Sequence, residues 1–109
     1  MVKEILTLAG FVEGETFKET RFLKAPKSTY AVYFDSYESR GADSLNLIKE
    51  HDYTIELYSY KADPEAEARI ESTLDTLGIA YEKESRYWIQ EEQLYQVVYS
   101  FNYIEKGGY

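Results

Sequence analysis

The sequence predicts an α+β fold: an antiparallel sheet of about four strands packed with one long and one short helix, plus a long central loop. Three observations carry that expectation. Residues 94–104 alternate, with Tyr95, Val97, Tyr99, Phe101 and Tyr103 on one parity and Gln96, Val98, Ser100 and Asn102 on the other, which is the period of a strand. Residues 52–60 alternate as well, setting Tyr53, Ile55 and Leu57 against Thr54, Glu56, Tyr58 and Tyr60. Between these segments Asp63-Pro64 opens an apolar stripe of helical spacing that stops at Gly78.

In chain order, Ile5, Leu8 and Ala9 recur at helical spacing, so a short helix is expected over residues 2–10, with Gly10 ending it in the left-handed conformation. Residues 11–23 mix Thr, Phe and charges and read as an irregular edge strand or a strand plus loop before the Ala25-Pro26 break. Residues 28–34 form a strand with Tyr30, Val32 and Phe34 on one face. Gly41 and several Ser and Asp residues interrupt any periodicity over 36–49, which reads as a long loop. The main helix covers 64–77: Asp63 caps it, Pro64 takes its first position, and Glu65 and Glu67 favour its positive end. Ala66, Ile70, Thr73, Leu74 and Leu77 form its apolar stripe, and Glu65 pairs with Arg69 at i,i+4. A hairpin over 80–104 turns at Glu91-Glu92, and the Gly107-Gly108 end is expected to fray.

A chain of 109 residues suits one domain spanning residues 1–109. Hydrophobic residues at 44% and aromatic residues at 17% are enough for a packed core. No apolar run approaches the roughly 20 residues that span a bilayer, and the apolar part of residues 1–10 is shorter than a secretory signal, so a cytoplasmic protein is expected. The absence of cysteine excludes disulfides, thiolate metal sites and thiol catalysis. A net charge of −8 repels a phosphate backbone and argues against specific DNA binding.

The residues that could carry chemistry are sparse. His51 is the only histidine, flanked by Glu50 and Asp52, which rules out a multi-histidine metal centre; a surface histidine is the simpler reading. The carboxylate pairs Glu65/Glu67, Glu82/Glu84 and Glu91/Glu92 read as solvated charges, because acid–base work needs differently tuned, partly buried carboxyls. No phosphate-cradling glycine motif occurs, and Asp43 with Asp35 is too thin a set for a divalent cation. The sequence therefore predicts no enzyme activity, no cofactor and no metal. Interface residues are expected instead. The 12 tyrosines are the compositional oddity, and tyrosine serves both strands and interfaces. Tyr58 and Tyr60 lie on the parity opposite the core residues of their strand, on a face open to a partner or covered by the first helix. In the 36–49 loop Arg40 and Asp43 are the charged candidates, and Leu45 and Leu47 the apolar ones.

Several stretches also carry a family resemblance. Tyr53-Thr-Ile-Glu-Leu-Tyr58, Lys61-Ala-Asp-Pro-Glu65, Leu77-Gly-Ile-Ala-Tyr81 and Leu94-Tyr-Gln-Val-Val-Tyr-Ser-Phe101 resemble the tail-completion (tail-terminator or head-tail joining) proteins of long-tailed bacteriophages and prophages. Ala25-Pro26-Lys-Ser-Thr-Tyr30-Ala-Val-Tyr33 and Ala42-Asp43 resemble that family's middle segment. The resemblance implies a structural virion protein of the tail or neck, made in the host cytoplasm. It would assemble with itself into a ring, a hexamer by the resemblance, between tail-tube and head-connector proteins. DNA would pass through without specific binding, helped by a negative lumen. The alternative is a non-enzymatic bacterial module that binds one protein partner through an exposed sheet face.

Overall fold

The structure, a computed structural model, describes residues 1–40 and 48–106, with side chains described over 1–36 and 50–104. Helix α1 spans Val2–Leu8 and is followed by strands β1 (Phe17–Glu19), β2 (Tyr30–Arg40) and β3 (Ile48–Ser59). Helix α2 (Pro64–Thr76) precedes β4 (Glu82–Lys83), β5 (Tyr87–Ile89) and β6 (Leu94–Lys106). Both helices end alike. Phe11 N–H donates to the Leu6 carbonyl (3.0 Å) and Gly10 N–H to Thr7 (3.1 Å); Ile79 and Gly78 repeat the pattern on Leu74 (2.9 Å) and Asp75 (3.0 Å). This closure needs a left-handed residue, supplied by Gly10 at φ 96° and Gly78 at φ 72°. At the start of α2 the Asp63 carboxylate accepts from Ala66 N–H at 3.0 Å and from the Thr29 hydroxyl at 2.6 Å. No helix among the described residues is long and apolar enough to cross a membrane.

The sheet corrects the expectation of about four antiparallel strands. Among the described residues it has six strands in the order β1-β2-β3-β6-β4, with β5 also on β6, and it is mixed because β1 runs parallel to β2. The class remains α+β. Parallel neighbours require a crossover, which residues 20–29 provide as an irregular span. A three-residue strand offers too little period-two pattern for sequence to reveal its direction. The hairpin partner of β6 is likewise split: β4 faces Tyr99 and Ser100, and β5 faces Leu94 to Gln96.

The long loop over 36–49 is corrected too. β2 continues to Arg40 and β3 starts at Ile48, paired from Tyr30 with Tyr58 to Arg40 with Ile48. The Ser, Glu and Arg residues there have weak strand preference, and β3 overrides it by offering ladder partners on one side. Asp43, Leu45, Leu47 and the Gly107-Gly108 end lie outside the described residues, and Arg40 is placed by its backbone only.

Helices α1 and α2 cover one face of the sheet. Ala31, Tyr33, Ile55, Leu57, Val97 and Tyr99 from that face pack with Val2, Ile5, Leu6, Phe11, Phe17, Ala66, Ile70 and Leu74. Arg69 joins the helices: its Nε–H donates to the Ala9 carbonyl at 2.9 Å, and its guanidinium lies 5.7 Å from the Phe11 ring centre. Leu77, expected in the apolar stripe, is 41% exposed.

Glu67, expected to be solvated, is buried at 6% exposure. Helix α2 turns it toward the sheet edge, where it receives Lys83 at 3.0 Å and Arg86 at 2.8 Å. Lys83 also reaches Glu71 at 2.7 Å, and the Tyr99 hydroxyl donates to that same Glu71 carboxylate at 2.7 Å. A buried carboxylate survives only when paired, so this cluster fastens α2 to the β4–β5 edge. Burial pushes the Glu67 carboxyl up, but bonds from Arg86 and Lys83 outweigh it and hold the group below its ordinary value of 4.5. A carboxyl depressed by folding adds stability above its unfolded value and loses it as pH falls through the folded one.

Glu67→Gln is expected to cost about 1–3 kcal/mol at neutral pH by taking from Arg86 its charge partner and from Lys83 one of its two. Its urea midpoint should then fall less steeply than that of the unsubstituted protein as pH drops from neutral to acid. Equal slopes would show that Glu67 is not held ionised by folding.

Candidate functional site

Among the described residues, no helix lies on the second face of the sheet. Its residues follow from the register: Tyr30, Tyr58 and Gln96 form one row, Val32, Glu56 and Val98 the next, then Phe34, Thr54 and Ser100. Tyr58 therefore sits on the helix-free face, not beneath α1. Its ring stacks on Tyr30 with centroids 5.3 Å apart and planes 23° from parallel, while Phe22 meets Tyr30 edge-on at 5.6 Å. Tyr30 and Val32 are 7% and 4% exposed although no helix covers them, because the 20–29 crossover lies over them.

Three contacts tie that crossover down. Thr29 donates to Asp63 at 2.6 Å, and the Tyr60 hydroxyl donates to the Pro26 carbonyl at 2.8 Å. Thr20 N–H donates to the Tyr33 carbonyl at 2.9 Å. Tyr60, 45% exposed, thus works as a clasp on the crossover and stands apart from the cleft lining.

The crossover begins with a strained turn. Arg21 N–H donates back to the Glu19 carbonyl at 2.7 Å, closing a three-residue turn around Thr20 at φ 68°. A β-branched residue is rarely found there, and strain of this kind gathers at functional sites. The turn delivers Arg21 and Phe22 to the lining of a cleft of about 230 Å³, which Tyr30, Val32, Glu56 and Tyr58 of the sheet and Glu92 also line. Glu92 arrives from the β5–β6 turn, closed by Gln93 N–H on the Ile89 carbonyl at 2.8 Å with Gln93 at φ 57°.

Hydrogen bonds order the cleft's polar groups. The Tyr58 hydroxyl donates to the Glu56 carboxylate at 2.8 Å and accepts from the Gln96 amide at 2.9 Å. Burial, and then the bond to Glu56, push the Tyr58 hydroxyl far above its ordinary value. Burial also raises Tyr30, with Tyr60 and Glu92 adding to the effect. Both phenols therefore remain neutral donors at physiological pH. A neutral phenol, a carboxylate and aromatic faces form a recognition surface suited to a cation.

The other sequence-derived candidates fall elsewhere. His51, expected at the surface, is 8% exposed in mid-β3; its ring stacks on Tyr53 at 5.1 Å and its Nδ1 lies 2.8 Å from the Asp35 carboxylate. Asp35 is engaged there, and among the described residues no group of three or more His, Asp or Glu could hold a metal ion. Arg40, at the end of β2, is remote in sequence register from the Tyr30–Tyr58 row. Phe22, Glu56 and Glu92 were missed by sequence reasoning. Glu56 shares parity with Tyr58, which was a usable signal; Phe22 and Glu92 come from a crossover and a turn whose paths carry no periodicity.

Thr20→Gly should relieve the turn and raise the urea-unfolding free energy by about 1 kcal/mol. An unchanged or lowered value would mean that Thr20 is not strained. No protein-family model matches the chain, and no curated protein matches it.

Proposed function

We propose that the chain is a non-enzymatic assembly subunit: a structural virion protein that completes or caps a phage tail and joins it to the head by closing into a ring. The observation that carries this reading is the pair of open sheet edges. β1 opposes β2 only from Ala31 to Tyr33, so β2 runs on from Phe34 to Arg40 with no outer neighbour among the described residues. On the far side, β4 and β5 end opposite Ser100, leaving β6 with no outer neighbour from Phe101 to Lys106 among the described residues. Both open stretches flank the same part of β3.

An open edge is a template for another strand. Two different edges on opposite sides of one ribbon suit a head-to-tail contact, in which one copy's β2 meets its neighbour's β6, and a suitable rotation closes the ring. The exposed apolar residues Phe34 (37%) and Ile104 (51%) stand beside these edges and would be covered by such a contact. The net charge of −8 supports the same reading, because a ring that passes DNA must not hold phosphates. The helix-free cleft favours a second reading, a module that grips one protein partner.

Light scattering after size exclusion, with electron microscopy of mixtures with purified tails, separates the two. The ring reading expects closed rings and protein at the head-proximal tail end. Ile104→Lys should weaken assembly about tenfold while moving the unfolding free energy by no more than about 0.5 kcal/mol. A protein that stays monomeric with and without tails contradicts the ring, and a one-to-one complex with a host protein supports the second reading.

A further inference from the structure

We propose that the helix-free cleft is a receptor for one arginine side chain presented by a partner protein, with Glu56 and Glu92 pairing its guanidinium, the rings of Phe22 and Tyr58 supplying aromatic surface, and the buried Tyr30 backing them. This goes beyond the ring reading and does not depend on it.

The first ground is an incomplete ion pair. The fold buries the Glu67 carboxylate and half-buries that of Glu56. Glu67 has Lys83 and Arg86 within 3.0 Å. Glu56, half-buried on the cleft side, is oriented by the Tyr58 hydroxyl at 2.8 Å, and among the described residues no lysine or arginine nitrogen lies at ion-pair distance from it. A hydroxyl satisfies one lone pair and leaves the charge unbalanced, whereas a carboxylate has sites for two parallel N–H donors.

The second ground is shape and surface. The cleft of about 230 Å³ has room for a planar guanidinium and its last methylenes. Stacked tyrosines beside a carboxylate suit arginine better than lysine, because the guanidinium stacks flat on rings and donates in a fork. The walls are tied by the Tyr60–Pro26 and Thr29–Asp63 bonds, so little ordering remains to be done on binding.

The third ground points to a protein as the source. Leu23, next to Phe22 on the crossover, is 85% exposed, and Tyr60 is 45% exposed. Both lie outside the cleft lining and would be covered by a polypeptide carrying the arginine. Arg21 also lines the cleft. It contributes one positive charge against the two carboxylates and acts as the resident competitor for them.

The test is a titration of the whole protein, followed by backbone amide NMR shifts, with blocked arginine (N-acetyl-arginine methylamide) and its neutral isostere, blocked citrulline. The expected result is saturable shifts centred on Thr20, Phe22, Glu56, Tyr58 and Glu92, with a dissociation constant on the order of millimolar. Glu56→Gln should weaken binding about fivefold or more, and Arg21→Ala should tighten it about twofold by removing the competitor. A second probe, an acetylated Leu-Arg-Leu amide, should bind severalfold tighter than blocked arginine, with that gain lost in Leu23→Ser. Citrulline binding as tight as arginine, shifts centred elsewhere, or a Glu56→Gln protein with unchanged affinity and an otherwise unchanged spectrum would overturn the site. Equal affinity of the two arginine probes would overturn the protein source. Rings without arginine binding would overturn this inference alone, and arginine binding by a permanently monomeric chain would overturn the ring alone.

Discussion

The fold depends on β3 being paired along its length, with β2 from Ile48 to Tyr58 on one side and with β6 from Ile48 to Ser59 on the other. Every other placement follows from that ladder. Its strict parity sends Tyr53, Ile55 and Leu57 to the helices and Glu56 and Tyr58 to the opposite face. A slip of one residue would exchange the two sets and bury Glu56 under α2. Ile55 and Leu57, at 0% and 1% exposure, oppose Tyr99 and Val97 in β6, so the hydrophobic cost of a slip falls on both strands together.

The two faces are then covered by different means. Helices on one face bury apolar side chains and leave one polar seam, where Glu67 and Glu71 meet Lys83, Arg86 and the Tyr99 hydroxyl. The seam fixes how far α2 lies along the sheet, because a charge withdrawn from water holds its partners by the penalty for losing them. Among the described residues, the other face receives only the 20–29 crossover and the β5–β6 turn, each containing a non-glycine residue at positive φ, Thr20 and Gln93. Irregular chain covers a sheet incompletely, and the remaining gap is the cleft. Tyrosine suits that gap: Tyr30 and Tyr58 line it with ring surface, while the Tyr58 hydroxyl is held by Glu56 and Gln96.

What could be read from sequence divides along physical lines. Asp63, Pro64 and Gly78 mark α2 because caps and stops are local chemistry. The alternation around Tyr53 to Leu57 and Tyr95 to Tyr103 is visible because one face is buried. β1 is too short to show its direction, and the ends of β2 and β3 lack alternation because they are held by ladder bonds. Glu67 and His51 were misplaced for one reason: their charge or polarity suggests solvent, and only the fold supplies Lys83 and Arg86 for one and Asp35 for the other. Of the candidate site, Tyr58 was legible by parity. Phe22 and Glu92 were not, since they meet Tyr58 across long separations along paths without a repeat.

The central proposal is that β2 and β6, which have no outer neighbour over 34–40 and 101–106 among the described residues, use those edges on assembly. Amide hydrogen exchange, measured residue by residue before and after assembly, tests it most directly. The account predicts the slowest exchange at Ile55 and Leu57 in β3. It also predicts fast exchange at alternate amides over residues 34–40 and 101–106 in the monomer, and strong protection of those amides in the assembled state. Protection already complete in the monomer, or exchange at those amides unchanged on assembly, would contradict it.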